Sequence, residues 1–120
     1  VAIIAGDYAA SKRFYVEILG LSVVAETYRA ERDSWKLDLS TAGGDRLELF
    51  SLPGAPPRPD RPEARGLRHL AFAVPDVAAA ARLLEGRGVP VEPIRIDPLT
   101  GRSYTFFADP DGLPLELYEA

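Results

Sequence analysis

The chain has 120 residues, of which 47% are hydrophobic and 27% are charged, a balance typical of a folded globular domain and unlike a disordered or fibrous chain. The absence of cysteine excludes a disulfide framework, a thiolate metal site and a cysteine nucleophile. The net charge of −4 gives no general attraction for nucleic acid or anionic lipid, and no apolar run is long enough to span a bilayer. We therefore expect a cytoplasmic protein that binds neither nucleic acid nor membrane.

An internal repeat organises the sequence. The segment VAIIAGDYAA at 1–10 resembles LAFAVPDVAA at 70–79, with an offset of 69 residues. Further along the offset is 68, where Leu-Glu-Leu-Phe at 47–50 corresponds to Leu-Glu-Leu-Tyr at 115–118. An ordered series of matches across about fifty residues predicts two copies of one structural unit.

Each copy has the pattern of a strand, a helix and three further strands, which predicts an α+β fold of two tandem βαβββ modules. In the first copy, Asp7 is the expected N-cap of a helix that ends at Gly20; in the second, Asp76 has this role and Gly86 or Gly88 ends the helix. The further strands are predicted at 21–28, 35–41 and 45–52, and at 89–96, 102–108 and 114–119.

A proline-rich segment separates the two copies. Five of the 11 prolines of the chain fall in residues 53–62, a composition that favours a semi-rigid, extended linker. We therefore predict a single domain over 1–120, composed of module one at 1–52, a linker at 53–66 and module two at 67–120.

Three side chains are candidate metal ligands. His69, the only histidine, opens a strand whose alternation places it on one face with Ala71 and Ala73. Glu48 and Glu116 are each centred in a Leu-Glu-Leu triplet, so both carboxylates point away from the leucines. Taken singly, each residue is more often structural or solvent-facing, but a pseudo-twofold packing of the copies would make the two glutamates converge near His69. Imidazole and carboxylates suit Zn²⁺, Ni²⁺, Co²⁺ or Mn²⁺, and three ligands leave positions open for a substrate.

Other residues offer weaker signals. Trp35, Lys36 and Arg102 are candidate substrate-binding residues of a pocket wall, although strand aromatics more often belong to the core. Asp109 and Asp111 are better explained by a turn than by catalysis. The sequence contains no phosphate-cradling glycine loop and no nucleophile elbow, so nucleotide binding and a hydrolase triad are unsupported.

These motifs resemble the vicinal oxygen chelate superfamily, which includes glyoxalase I, extradiol dioxygenases, methylmalonyl-CoA epimerase and bleomycin-binding proteins. Gly-Leu-Arg-His-Leu-Ala-Phe at 66–72 opens module two, and Asp-Pro-Asp-Gly-Leu-Pro-Leu-Glu-Leu-Tyr at 109–118 closes it. Asp-Ser-Trp-Lys at 33–36 and Leu-Glu-Leu-Phe at 47–50 are similar to small bacterial glyoxalase I-like proteins. The resemblance covers nearly the whole chain and implies a curved mixed sheet around a metal cleft.

Resemblance to glyoxalase I implies a metal-dependent lyase or isomerase that acts on a small substrate with vicinal oxygens through an enediolate. It implies Glu48, His69 and Glu116 as metal ligands, Glu116 or Glu48 as the proton-transferring base, and a homodimer. A non-catalytic protein that binds a small molecule or an antibiotic is the alternative from another class. Another metal-dependent member of the superfamily, such as a thiol transferase, an epimerase or a dioxygenase, is a third reading.

The repeat also makes a prediction about the position that precedes Val1. The chain has no initiator methionine and opens in a strand-like segment, so we expect it to be part of a longer protein. At the offset of 69, His69 aligns with the residue before Val1, and the four-ligand pattern of glyoxalase I implies a histidine there. The competing interpretation is a chain that has lost this ligand and become a binding protein.

Overall fold

The computed structural model describes all 120 residues. The chain divides into two compact units, Val1–Arg58 and Pro59–Ala120, and the division falls within the proline-rich segment 53–66. Each unit has its own four-stranded sheet. None of the helices has the length and apolar character needed to cross a membrane.

The first unit contains one helical segment and four strands. The strands are β1 (Ala2–Ala5), β2 (Ser22–Arg29), β3 (Ser34–Ser40) and β4 (Arg46–Ser51). The helix α1 (Tyr8–Arg13) begins after Asp7, whose carboxylate accepts a hydrogen bond of 3.1 Å from the backbone N–H of Ala10. The predicted N-cap is thus confirmed. The helix continues as a π-helical turn over Phe14–Ile18. The sequence pattern predicts the helical segment but not the transition from α-helix to π-helix.

The second unit repeats this order with two differences. Its elements are β5 (Leu70–Val74), α2 (Val77–Gly86), β6 (Arg95–Ile96), β7 (Ser103–Ala108) and β8 (Pro114–Glu119). The helix is α-helical throughout, and Asp76 caps it as predicted. The predicted strand at 89–96 is wrong in extent, because the structure has a strand only at Arg95–Ile96. Pro90 and Pro93 have no backbone N–H to donate to a neighbouring strand.

The strand registers show that the two units are copies of one design. The sheet orders are β1-β4-β3-β2 and β5-β8-β7-β6, each with one parallel pair and otherwise antiparallel pairs. In the parallel pair of the first unit Ala2 is the register partner of Glu48, and in the second Ala71 is the partner of Glu116. These partners differ by the offsets of 69 and 68 found in the sequence. The α+β class and the tandem βαβββ modules are therefore confirmed.

The leucines that flank both glutamates form the buried side of each sheet. Leu47 and Leu49 are buried in the first unit, as are Leu115 and Leu117 in the second. Successive strand residues point to opposite faces, so burial of the leucines turns the intervening carboxylates to the other side. We call this other side the open face of each sheet.

The turn between β7 and β8 is built by Asp109. Its buried carboxylate accepts hydrogen bonds of 2.9 Å from the backbone N–H groups of both Asp111 and Leu113. Such a side-chain-to-backbone turn explains the acidic pair of this segment. The sequence-based assignment of Asp109 and Asp111 to a turn is consistent with these bonds.

Candidate metal and ligand-binding site

The structure brings together two of the predicted site residues, His69 and Glu116. The Nε2 of His69 lies 3.7 Å from Oε1 of Glu116, and their side chains are 32% and 14% exposed. This separation is too long for a good hydrogen bond. Two ligands about 2.1 Å from one tetrahedral ion stand about 3.4 Å apart, so the spacing is close to the one that a shared metal ion requires.

The local sequence explains why these side chains meet. Glu116 lies in β8 between two buried leucines, so its carboxylate is directed to the open face. Its neighbour across the parallel pair is Ala71, whose methyl group leaves space above the sheet. His69 immediately precedes β5 and continues the alternation of Ala71 and Ala73. The second unit therefore presents imidazole and carboxylate over a floor of small side chains.

Aromatic side chains continue this open face away from the pair. Phe106 is the register partner of Glu116, and its ring meets the imidazole of His69 edge-on at 5.1 Å. Tyr104 follows at 6.1 Å from Phe106, and Tyr118 stacks on Tyr104 at 6.4 Å. We call His69, Phe106, Tyr104 and Tyr118 the aromatic row. This row was not predicted from the sequence. Tyr104 and Phe106 are two residues apart in a predicted strand, and this spacing alone places both rings on the same face.

A cation lies over this row. The guanidinium carbon of Arg95 is 5.2 Å from the ring centre of Tyr104 and 5.7 Å from that of Phe106. Its Nη2 donates a hydrogen bond of 2.8 Å to Glu92. Stacking of a guanidinium on aromatic faces is favourable, so the arginine is held on the open face.

Glu48 has the equivalent position in the first unit but different neighbours. The Nζ of Lys36 lies 3.8 Å from Oε1 of Glu48 and 3.5 Å from Oδ1 of Asp38. Asp38 is the register partner of Glu48 in the antiparallel pair, where the second unit has Phe106. The carboxylates of Glu48 and Asp38 thus share the ammonium group of Lys36.

The predicted substrate-binding residues Trp35 and Lys36 point to opposite faces of β3. Lys36 shares the open face with Glu48, whereas Trp35 stacks on Tyr8 of α1 with ring centres 5.8 Å apart. Trp35 also contacts Tyr28 at 5.1 Å. The two residues therefore do not line one side of a common pocket.

The predicted residue Arg102 lies one position before β7 and is exposed. Its backbone carbonyl accepts a hydrogen bond of 2.9 Å from Asp97, and its N–H donates to Oγ1 of Thr100. The guanidinium of Arg102 makes no hydrogen bond or ion pair, and its alternation with Tyr104 assigns it to the same strand face.

A separate polar cluster lies beside α1. Glu26 accepts hydrogen bonds from the ammonium of Lys12 at 2.8 Å and from the hydroxyl of Tyr8 at 2.6 Å. The bond from Lys12, followed by the bond from Tyr8, lowers the pKa of Glu26. Burial, and then the bond to Glu26, raises the pKa of Tyr8. This cluster ties α1 to β2 within the first unit.

Neither unit gathers three or more histidine, aspartate or glutamate side chains into a ligand cluster of its own. The second unit therefore contributes His69 and Glu116 as a pair. Glu48 belongs to the other compact unit, and its role as a ligand stays a prediction.

Comparison with known proteins identifies relatives over the whole length. The sequence profile of the Glyoxalase/Bleomycin resistance protein/Dioxygenase superfamily matches residues 1–117. The uncharacterized protein YaeR of Escherichia coli (strain K12) is 60% identical over 119 residues, which cover 99% of this chain and 92% of that protein. A glyoxalase family protein from Enterococcus faecalis is 50% identical, with a TM-score of 0.92 and coverage of 99% of this chain and 94% of that one.

More distant solved structures include proteins of different function. The trypanothione-dependent glyoxalase I of Leishmania major is 26% identical with a TM-score of 0.75, over 99% of this chain and 83% of that one. TnmS3, an antibiotic-binding protein from Streptomyces sp. CB03234, is also 26% identical, with a TM-score of 0.76 over 99% and 91% of the respective chains. The fold shared by these proteins thus serves both an enzyme and a binding protein.

Proposed function

Because the chain belongs to the Glyoxalase/Bleomycin resistance protein/Dioxygenase superfamily, we propose that it is a metal-dependent lyase or isomerase of the glyoxalase I type. Its substrate would be a small molecule with two adjacent oxygens that reacts through an enediolate. The observation that carries this proposal is the pairing of His69 with Glu116 at 3.7 Å on the open face of the second sheet.

The residues of this pair fit a divalent ion. Imidazole and carboxylate together are ligands that Zn²⁺, Ni²⁺, Co²⁺ and Mn²⁺ accept, and small side chains leave room above them. Glu48 is proposed as a further ligand because its register position in the first unit is the one that Glu116 has in the second. When bound, such an ion supplies Lewis acidity toward the two adjacent substrate oxygens.

The protein's own part in the reaction is proton transfer. In the proposed isomerisation, a carboxylate oxygen of Glu116 takes the proton from one substrate carbon and returns it to the neighbouring carbon, so that no atom is gained or lost. The Glu116 side chain is 14% exposed, which limits exchange of the transferred proton with water. Glu48, at 42% exposure, is the alternative base.

The cationic side chains suggest how a substrate is oriented. Lys36 and Arg102 are proposed to contact polar substrate groups, since Lys36 lies on the open face of β3 and Arg102 precedes β7 in the same alternation as Tyr104. Trp35 is also proposed to contact the substrate, although its ring is directed to the helix side of β3, where it stacks on Tyr8. On the basis of the family resemblance, we also propose that the protein forms a homodimer and that its substrate is a small molecule.

A binding protein without catalysis is the second candidate. The observation that favours it is the contact of Lys36 with Glu48, because the ammonium group already balances a carboxylate that the enzyme would give to a metal. An antibiotic-binding relative with the same fold supports this alternative.

Metal analysis combined with an activity assay separates the candidates. Purified protein would be analysed for bound divalent metal and assayed for isomerisation of the methylglyoxal–glutathione hemithioacetal with Zn²⁺, Ni²⁺, Co²⁺ and Mn²⁺. Stoichiometric metal and turnover support the enzyme, whereas neither metal nor turnover supports the binding protein. Bound metal without turnover of this substrate would favour another metal-dependent reaction of the superfamily.

A further inference from the structure

The open face of the second unit carries a ligand-binding surface beyond the proposed metal pair. Phe106 contacts the imidazole of His69 edge-on at 5.1 Å, and the guanidinium of Arg95 lies over the same ring at 5.7 Å from its centre. The metal pair and a positive charge are thus both neighbours of one aromatic side chain. A ligand that reaches both needs a flat portion of about one ring.

This arrangement is not a consequence of the repeat. The offset of 68 relates Phe106 to Asp38, Tyr104 to Lys36 and Arg95 to Thr27. All three first-unit residues are polar, and none is aromatic. The fold alone therefore does not require aromatic side chains under an arginine at these places.

The donors of Arg95 are partly unused. Its Nη2 bonds to Oε1 of Glu92 at 2.8 Å, and the two side chains are 48% and 57% exposed. The Nε and Nη1 groups make no hydrogen bond. An exposed ion pair of this kind is weak and exchangeable, so a ligand carboxylate can replace Glu92 or share the guanidinium with it.

We propose that Arg95 determines substrate specificity by binding a carboxylate, and that Phe106 and Tyr104 bind a flat apolar group between that carboxylate and the two adjacent oxygens. The substrate class is then an aryl or similarly flat α-oxo compound with a carboxylate at its far end. Guanidinium binds carboxylate through two parallel hydrogen bonds, and its stacking on the rings holds it ready for that contact. This inference rests on the proposed function for the position of the adjacent oxygens.

Two matched probes test the proposal directly. Benzohydroxamate and 4-carboxybenzohydroxamate share a ring and two adjacent oxygens, and differ only by the far carboxylate. Their dissociation constants would be measured by calorimetry on the full chain with saturating Zn²⁺. We expect the carboxylated probe to bind about tenfold more tightly. This ratio corresponds to a weak charged hydrogen bond, as expected for a half-exposed site.

Variants with opposite expected effects distinguish a binding role from a structural one. Arg95→Ala should abolish the preference for the carboxylated probe, and Arg95→Lys should keep part of it. Glu92→Gln should increase the preference, since it removes the competing carboxylate. Arg82→Ala, on the exposed surface of α2, is the control that should change nothing, and melting temperatures would establish that each variant is folded.

Each outcome decides the proposal. Failure of both probes to bind, no preference in the wild type, or a preference that survives Arg95→Ala in a folded protein would overturn it. Turnover of the phenylglyoxal hemithioacetal would be measured in parallel. Arg95-dependent binding without turnover would favour a reaction other than that of glyoxalase I and would retain this site. Turnover without an Arg95-dependent preference would support the lyase and reject this site.

Discussion

The imidazole of His69 and the carboxylate of Glu116 lie 3.7 Å apart on the open face of the second sheet. One precedes the first strand of its unit and the other lies in the last, so the parallel pairing of β5 with β8 brings them together. The leucines on both sides of Glu116 are buried and fix the direction of its carboxylate. The register of β5 against β8 and the alternation of side chains along β8 therefore bring the pair together.

Replacement of the Glu116 carboxylate should affect turnover more than metal binding. In Glu116→Gln, the amide oxygen can still approach an ion, but the side chain can no longer accept a proton. We expect kcat for the hemithioacetal to fall by about 100-fold or more and zinc affinity to fall by a smaller factor. Steady-state kinetics and calorimetry would measure the two effects.

The same change at Glu48 is the matched comparison. If Glu116 is the base, Glu48→Gln weakens metal binding without the larger loss in kcat. A Glu116→Gln variant with wild-type kcat would remove Glu116 from the proton-transfer step.

Lys36 should oppose cation binding at Glu48. Its ammonium lies 3.8 Å from the Glu48 carboxylate, so Lys36→Gln removes a positive charge beside a proposed ligand. We expect the affinity for Zn²⁺ to rise by up to about fivefold, the effect of a partly exposed charge pair. Lys12→Gln is the control, because Lys12 instead pairs with Glu26 beside α1. Equal effects of the two substitutions would show that only the net charge matters.

The Glu26 cluster should make stability depend on pH. The hydrogen bond from Lys12, and then that from Tyr8, holds the pKa of Glu26 below its ordinary value of 4.5. A lowered pKa in the folded state means that the stabilisation is fully present above pH 4.5 and is lost as the pH falls through the folded-state pKa. Urea unfolding of the wild type and of Glu26→Gln at neutral pH and at about pH 3 should show a stability difference that shrinks in acid. A difference that is the same at both pH values would contradict the assignment.

The first unit should gain metal affinity from a histidine before Val1. The carbonyl of Val1 accepts a hydrogen bond of 2.8 Å from the N–H of Glu48, and Ala2 is the register partner of Glu48. Continued alternation would place the preceding position on the same face as Ala2 and Glu48. Adding Ala-His to the N-terminus should strengthen zinc binding about tenfold or more relative to adding Ala-Ala, because a neutral imidazole is a good zinc ligand. Equal affinities measured by calorimetry for the two extended chains would reject the repeat-derived ligand.

The sequence was sufficient to predict most of the fold. The repeat, the Asp7 and Asp76 helix caps and the Leu-Glu-Leu triplets are local patterns with a direct physical cause, and the structure has them where they were predicted. The predicted strand at 89–96 is too long because its β-branched residues have the alternation typical of a strand, whereas Pro90 and Pro93 limit the pairing. The π-helical turn of the first unit has no comparably clear sequence signal.

The surroundings of the candidate site were harder to predict than its members. The contact of Lys36 with Glu48 depends on a cross-strand register that a single sequence does not fix. The position of Arg95 over Phe106 and Tyr104 depends on the shortened strand β6, which the sequence pattern overextended. The face on which an individual strand residue lies can thus be predicted from the sequence, whereas its contacts on neighbouring strands cannot.

Zinc titration of the wild type and of His69→Ala tests the central claim most directly. We expect calorimetry to show one Zn²⁺ per wild-type chain, a higher melting temperature with the ion because it binds the native state, and loss of both effects in His69→Ala. A folded wild-type chain that binds no divalent ion, or a His69→Ala variant that binds Zn²⁺ as tightly as the wild type, would contradict the account.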